Sequence, residues 1–121
     1  MRLRLPAALL ATASLAAPSA AHHGWSGYLP TESAVSGSVT SADMRGGMHA
    51  RMFVRSGGER WEIVLGPPSR NGRAGLTAAL LRPGTQVVAR GHRHRDPRRL
   101  ELMAERVVIG GRAFDLYPER S

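Results

Sequence analysis

Apolar and polar residues alternate along much of this chain, and a period of two sorts side chains onto the faces of an extended strand. Val35 and Val39 flank Gly37 on one face, with Ser36 and Ser38 on the other. Ala50, Met52 and Val54 alternate with Arg51, Phe53 and Arg55, so a second strand is expected within 48–56 after a turn at Gly46-Gly47. Ser56-Gly57-Gly58-Glu59 reads as a hairpin connection into a third strand over 61–65, which Pro67-Pro68 stops. From Ala74 to Leu81 the period lengthens: Leu76, Ala79 and Leu80 fall at helical spacing, Asn71 is available as a cap, and Pro83-Gly84 ends the segment. Strand character resumes over 86–92. Asp96-Pro97 turns the chain, another strand is expected over 100–109, and Gly110-Gly111 breaks it before a last short one over 112–117.

The predicted class is all-β with one short helix, in the order β-β-β-α-β-β(-β). A helix between the third and fourth strands is the order of the OB-fold, a small Greek-key β-barrel; a two-sheet sandwich with one helical crossover gives a similar pattern. In either case Trp61, Ile63 or Leu65, Leu76, Leu80, Val87, Leu102, Val107 and Ile109 are the expected core.

Before the first strand the pattern is different. Arg2 and Arg4 precede an apolar run from Ala7 to Ala17 and then small residues, the layout of a secretory signal peptide. Cleavage after Ala21 places Ser19 and Ala21 at the two positions where small side chains are required, so residues 1–21 are assigned as signal peptide and 22–121 as a single domain beginning at His22. A periplasmic location follows, with no membrane span, because no later segment approaches the roughly 20 apolar residues a transmembrane helix needs.

Composition narrows the chemistry. All 17 basic residues are arginine, and removing Arg2 and Arg4 leaves 15 against 9 acids, a surplus that suits an acidic partner. Zero cysteines mean that packing, not disulfides, stabilises an exported chain, and that a metal must be held by histidine, methionine, carboxylate or the terminal amine.

Four segments together resemble a known family: His22-His23-Gly24-Trp25, Trp61 with Pro67-Pro68-Ser69-Arg70, Arg73-Ala74-Gly75-Leu76, and Gly91-His92 followed by Glu101, Ala104-Glu105-Arg106 and Gly110-Gly111-Arg112. They resemble the domain of unknown function 6152 family of small exported proteobacterial proteins, over essentially the whole mature chain. The resemblance implies export and a compact β-barrel-like domain, and supplies no activity, cofactor or catalytic residue.

His22 and His23 carry the most specific chemistry. A histidine at a free terminus offers its amine and its imidazole to one metal ion, and planar nitrogen sets suit Cu(II), at the top of the divalent affinity order. His49 is the third candidate metal ligand; copper is the candidate cofactor. Cleavage after Ala20 would leave Ala21-His22-His23, another chelating arrangement, while without metal the pair is simply a polar terminus leading to Trp25. Met44, Met48 and Met52 form a possible thioether cluster with His49, although alternation sets His49 on the opposite face from Met48 and Met52, and core packing is the plainer role for Met52. His92 and His94 could chelate from one strand face, but Arg90, Arg93 and Arg95 surround them, and a solvated basic strand end is favoured.

Arg70, Asn71 and Arg73 precede the predicted helix, where arginines sit against the dipole unless an anion joins them: a bound ligand, or Glu101, Glu105 or Asp115 of the same chain. No motif of a hydrolase, nucleotide-binding or zinc enzyme appears, so no enzyme is expected. The expected function is an exported periplasmic binding protein, for copper through the N-terminal histidine. The alternative is a metal-free module that binds an acidic ligand or envelope partner through Arg70, Asn71, Arg73 and the barrel face. Nucleic-acid binding is disfavoured by export.

Overall fold

A computed structural model describes residues 24–120 together with Arg2. Six strands form one sheet: β1 (Tyr28–Asp43), β2 (Arg51–Ser56), β3 (Glu59–Val64), β4 (Gln86–His94), β5 (Glu101–Ile109) and β6 (Arg112–Asp115), with helix α1 (Pro68–Ala74) and a 3-10 turn (Ala78–Leu81) between β3 and β4. The protein is mostly β with one short α-helix, as the alternation predicts.

The sheet runs β3-β2-β1-β4-β5-β6, and β3 also pairs with β5 in parallel, Ile63 opposite Leu102 and Val64 opposite Met103. That last ladder joins the two ends, so β1 to β5 form a ring; the other ladders are antiparallel. One ringed sheet forms, not two facing sheets. Its interior takes the inward face of each strand: Val35 and Val39 from β1, Met52 and Val54 from β2, Trp61 and Ile63 from β3, Val87 and Ala89 from β4, Leu102 and Val107 from β5 are all buried. Leu65 and Leu76 join them, while Leu80 and Ile109 are only partly buried against this core.

Glycines make the ring possible at two kinds of place. Gly57-Gly58 and Gly110-Gly111 have φ of 57°, 84°, 56° and 79°, the doubly positive pairs that two-residue hairpins need. At Gly37 and Gly91 the neighbouring strand passes so close that a Cβ would stand 2.1 Å from the Arg55 carbonyl oxygen and 1.9 Å from that of Met103. Only glycine fits.

Two expectations are corrected. β1 is far longer than the alternation around Val35–Val39 indicates, because bulges near Thr40 and between Tyr28 and Glu32 break the period while the pairing continues. The helix lies earlier than 74–81. Pro68 at its first turn presets φ, and Gly75 at φ 82° ends it, so Leu76 follows the helix with its N–H donating to the Asn71 carbonyl. Asn71 is not a cap. It is buried in the middle of α1, donating its amide to the Gly66 carbonyl at 2.7 Å and accepting the Gly66 N–H at 2.9 Å.

Candidate functional site

Trp25 is where the N-terminal segment joins the body. Its buried indole meets Tyr117 edge-on at 5.1 Å and His92 at 5.7 Å, and the Arg120 guanidinium lies over it at 4.0 Å. These partners come from β4 and from the C-terminal tail, so the indole ties the entry and exit of the chain together. Beside it is a hollow of about 400 Å³ lined by Trp25, Tyr28, Leu29, His92, Arg95 and Arg120. Gly24 stands against Met103, its would-be Cβ 3.8 Å from Cε.

Beneath the hollow is a buried polar network. His92 bonds the Leu29 carbonyl through Nδ1 at 2.8 Å and Glu105 Oε1 through Nε2 at 2.7 Å, and Arg120 donates to the same oxygen at 3.2 Å. Nearby, the Tyr28 hydroxyl donates to Glu101 at 2.5 Å and Arg99 donates to the other Glu101 oxygen at 2.7 Å. Burial raises the Tyr28 phenol far above its ordinary value, and the bond to Glu101 adds to this; burial likewise raises Tyr117. Burial opposes ionisation of Glu101, but the hydrogen bond from Tyr28 and the charge and hydrogen bond of Arg99 outweigh it and hold its carboxyl below the usual range. Sequence reasoning missed this network. Its members, Trp25, His92, Glu105 and Arg120, are far apart in the chain and have no periodic signature.

Hydrogen-bond partners determine which histidine nitrogen carries a lone pair. The Leu65 carbonyl can only accept, so His49 Nδ1, 2.8 Å away, is the donor and its Nε2 is left as the lone-pair nitrogen. His94 is the reverse: Nδ1 accepts the Asp96 N–H at 3.0 Å, which puts the neutral ring's proton on Nε2. His92 has both nitrogens committed. Among the described histidines, His49 alone keeps a lone-pair nitrogen with no hydrogen-bond partner, its ring oriented by a backbone carbonyl on the far nitrogen.

His49 lines a hollow of about 360 Å³ with Asp43, Met48 and Arg51. Met48 is 84% exposed whereas Met52 is fully buried, so the possible methionine cluster does not converge. Among the described residues no group of three or more histidines and carboxylates is assembled for a metal. His22 and His23 lie outside the described residues.

Arg70, Asn71 and Arg73 lie within α1 and not before it, and they are largely occupied. Arg70 donates to Glu119 at 2.9 Å and to the Leu116 carbonyl at 3.2 Å, with its guanidinium 4.4 Å from the Tyr117 ring centre. Its acid is thus Glu119 and not Glu101, Glu105 or Asp115. Asn71 is spent on Gly66, and Arg73 remains exposed at the rim of a hollow of about 290 Å³ shared with Arg70 and Glu119.

The model of a family described as a family of unknown function (DUF6152) matches residues 10–103. No curated protein matches the sequence. Among solved structures, apo TiaS, a tRNAIle2 agmatidine synthetase, is similar at a TM-score of 0.49 and 20% identity, over 64% of this chain and 18% of that one. This chain therefore spans less than a fifth of that protein's length.

Proposed function

The chain belongs to the DUF6152 family, and within it we propose an exported periplasmic binding protein, not an enzyme, that holds Cu(II) at its processed N-terminus. His22 supplies its amine and ring; His23 or His49 completes the nitrogen set. The observation that carries this is the bond from His49 Nδ1 to the Leu65 carbonyl, which leaves Nε2 free to coordinate. Position supports it too. Gly24 stands on the Met103 side chain, Met103 pairs with Val64, and the next residue, Leu65, bonds His49, so a short chain of contacts links the start of the described chain to His49. Two extended residues reach about 7 Å before the length of a side chain is added.

The order of strands around the ring, with α1 between β3 and β4, supports an OB-type barrel as the scaffold. Trp25 anchors the start of the described chain to this scaffold. The alternative of an acidic ligand at Arg70, Asn71 and Arg73 has less support, because Arg70 and Asn71 are already satisfied within the chain.

The test is a Cu(II) titration of three forms: one beginning at His22, one carrying an extra residue before His22, and a His22→Ala form with a free terminus. The native-start form should bind one equivalent at least tenfold more tightly than the other two. Equal affinities would remove the terminal site. Because the amine and imidazole must both lose protons to coordinate, affinity should fall as pH drops below about 6.5.

A further inference from the structure

On the outer face of the β2–β3 hairpin, Arg55 and Arg60 stand directly opposite one another as a cross-strand pair. Like charges in that position repel, and a hairpin gains nothing from them by itself. Both are exposed, and among the described residues neither is ion-paired. Arg51, by contrast, is matched on the same face by Glu62.

The pair is also shaped. The Arg60 guanidinium lies over the Phe53 ring, 3.8 Å from its centre, which holds it on the hairpin surface. The loop after β4 comes alongside, with the Glu62 N–H donating to the Leu100 carbonyl at 2.9 Å; its Arg98 and Arg99 are already ion-paired, with Asp96 at 3.1 Å and Glu101 at 2.7 Å, and leave Arg55 and Arg60 as the unmatched charges of this face. Gly57 and Gly58 at the hairpin tip present no side chain and have open space around them, so a broad surface can approach the guanidiniums without obstruction.

We propose that this face docks on phosphate groups of an anionic lipid surface, with Arg55 and Arg60 as the principal contacts. Guanidinium matches phosphate oxygens two at a time, and the chain's exclusive use of arginine suits that geometry. Two unmatched guanidiniums side by side on the outer face of a hairpin meet a layer of headgroups more readily than they enclose one small anion. The opposing charges at Arg55 and Arg60 are then relieved by a phosphate between them. Nothing in this rests on copper, and the experiment is run without metal.

The test is sedimentation with vesicles of phosphatidylglycerol and phosphatidylcholine in equal parts, and with vesicles of phosphatidylcholine alone. The variants are Arg55→Gln/Arg60→Gln and, as a control of equal charge, Arg73→Gln/Arg82→Gln. At roughly fivefold per arginine at an anionic surface, the first variant should bind the anionic vesicles about 25-fold more weakly while melting no lower than the parent. The control should lose less than a third as much. Equal losses in the two variants, or equal binding to both vesicle types, would overturn the proposal. So would release from the vesicles by inorganic phosphate but not by sodium chloride of the same ionic strength, which would assign the site to a free anion.

Discussion

His92 Nε2 lies 2.7 Å from Glu105 Oε1, with both side chains buried, and the other ring nitrogen is held by the Leu29 carbonyl. This single ring closes three gaps. It satisfies a carbonyl that the bulge between Tyr28 and Glu32 takes out of the β1–β4 ladder, it crosses to β5, and through Glu105 it reaches Arg120 of the tail. The Leu29 carbonyl can only accept, so Nδ1 is the donor in that bond, and Nε2 is left to Glu105. Glu105→Ala should therefore destabilise the fold by about 3 to 5 kcal/mol, the cost of stranding a buried partner, read by chemical denaturation. A melting temperature unchanged by Glu105→Ala would contradict this.

Tyr28 and Tyr117 are the only two tyrosines, and both phenols are raised above the ordinary value of 10.0. The folded protein at pH 10 should show clearly less tyrosinate absorbance than the chain unfolded in denaturant, which should show half of its full value. Substantial ionisation of the folded form at that pH would mean that the hydroxyls are not held as described.

Glu101 is depressed, so the sign runs the other way: its contribution is fully present above the ordinary value of 4.5 and is lost as pH falls through the lower folded value. Glu101→Gln should melt below the parent at pH 6, and the gap should close as pH drops below 4.5. A constant gap down to pH 3 would refute the assignment.

Leu76→Ala should cost about 2 to 5 kcal/mol, because Leu76 is 2% exposed among core side chains. The effect comes from the segment after α1, not from a helix face. Chemical denaturation measures it directly.

The strands were readable because alternation and Gly-Gly turns are local signals: the β2–β3 hairpin, β4, β5 and the buried set of Met52, Val54, Ile63, Val87, Leu102 and Val107 all follow from them. Periodicity failed at the helix, where Leu76, Ala79 and Leu80 imitate a helical stripe, while the preference of proline for a first turn and of glycine for a last one sets the real limits at Pro68 and Gly75. The length of β1 was hidden by its bulges. At the candidate site His49 was found as a residue, but its lone-pair nitrogen depends on the Leu65 carbonyl, a partner 16 residues away that only the fold supplies. The same holds for the His92 network and for the opposition of Arg55 to Arg60, which is set by hairpin register.

Electron paramagnetic resonance of the His22-start protein with one equivalent of Cu(II) tests the central claim most directly. The account predicts a single species with an all-nitrogen, nearly planar signature that changes in His22→Ala and loses a nitrogen coupling in either His23→Ala or His49→Ala. A spectrum of loosely held aqueous copper, or one identical in all four proteins, would contradict it.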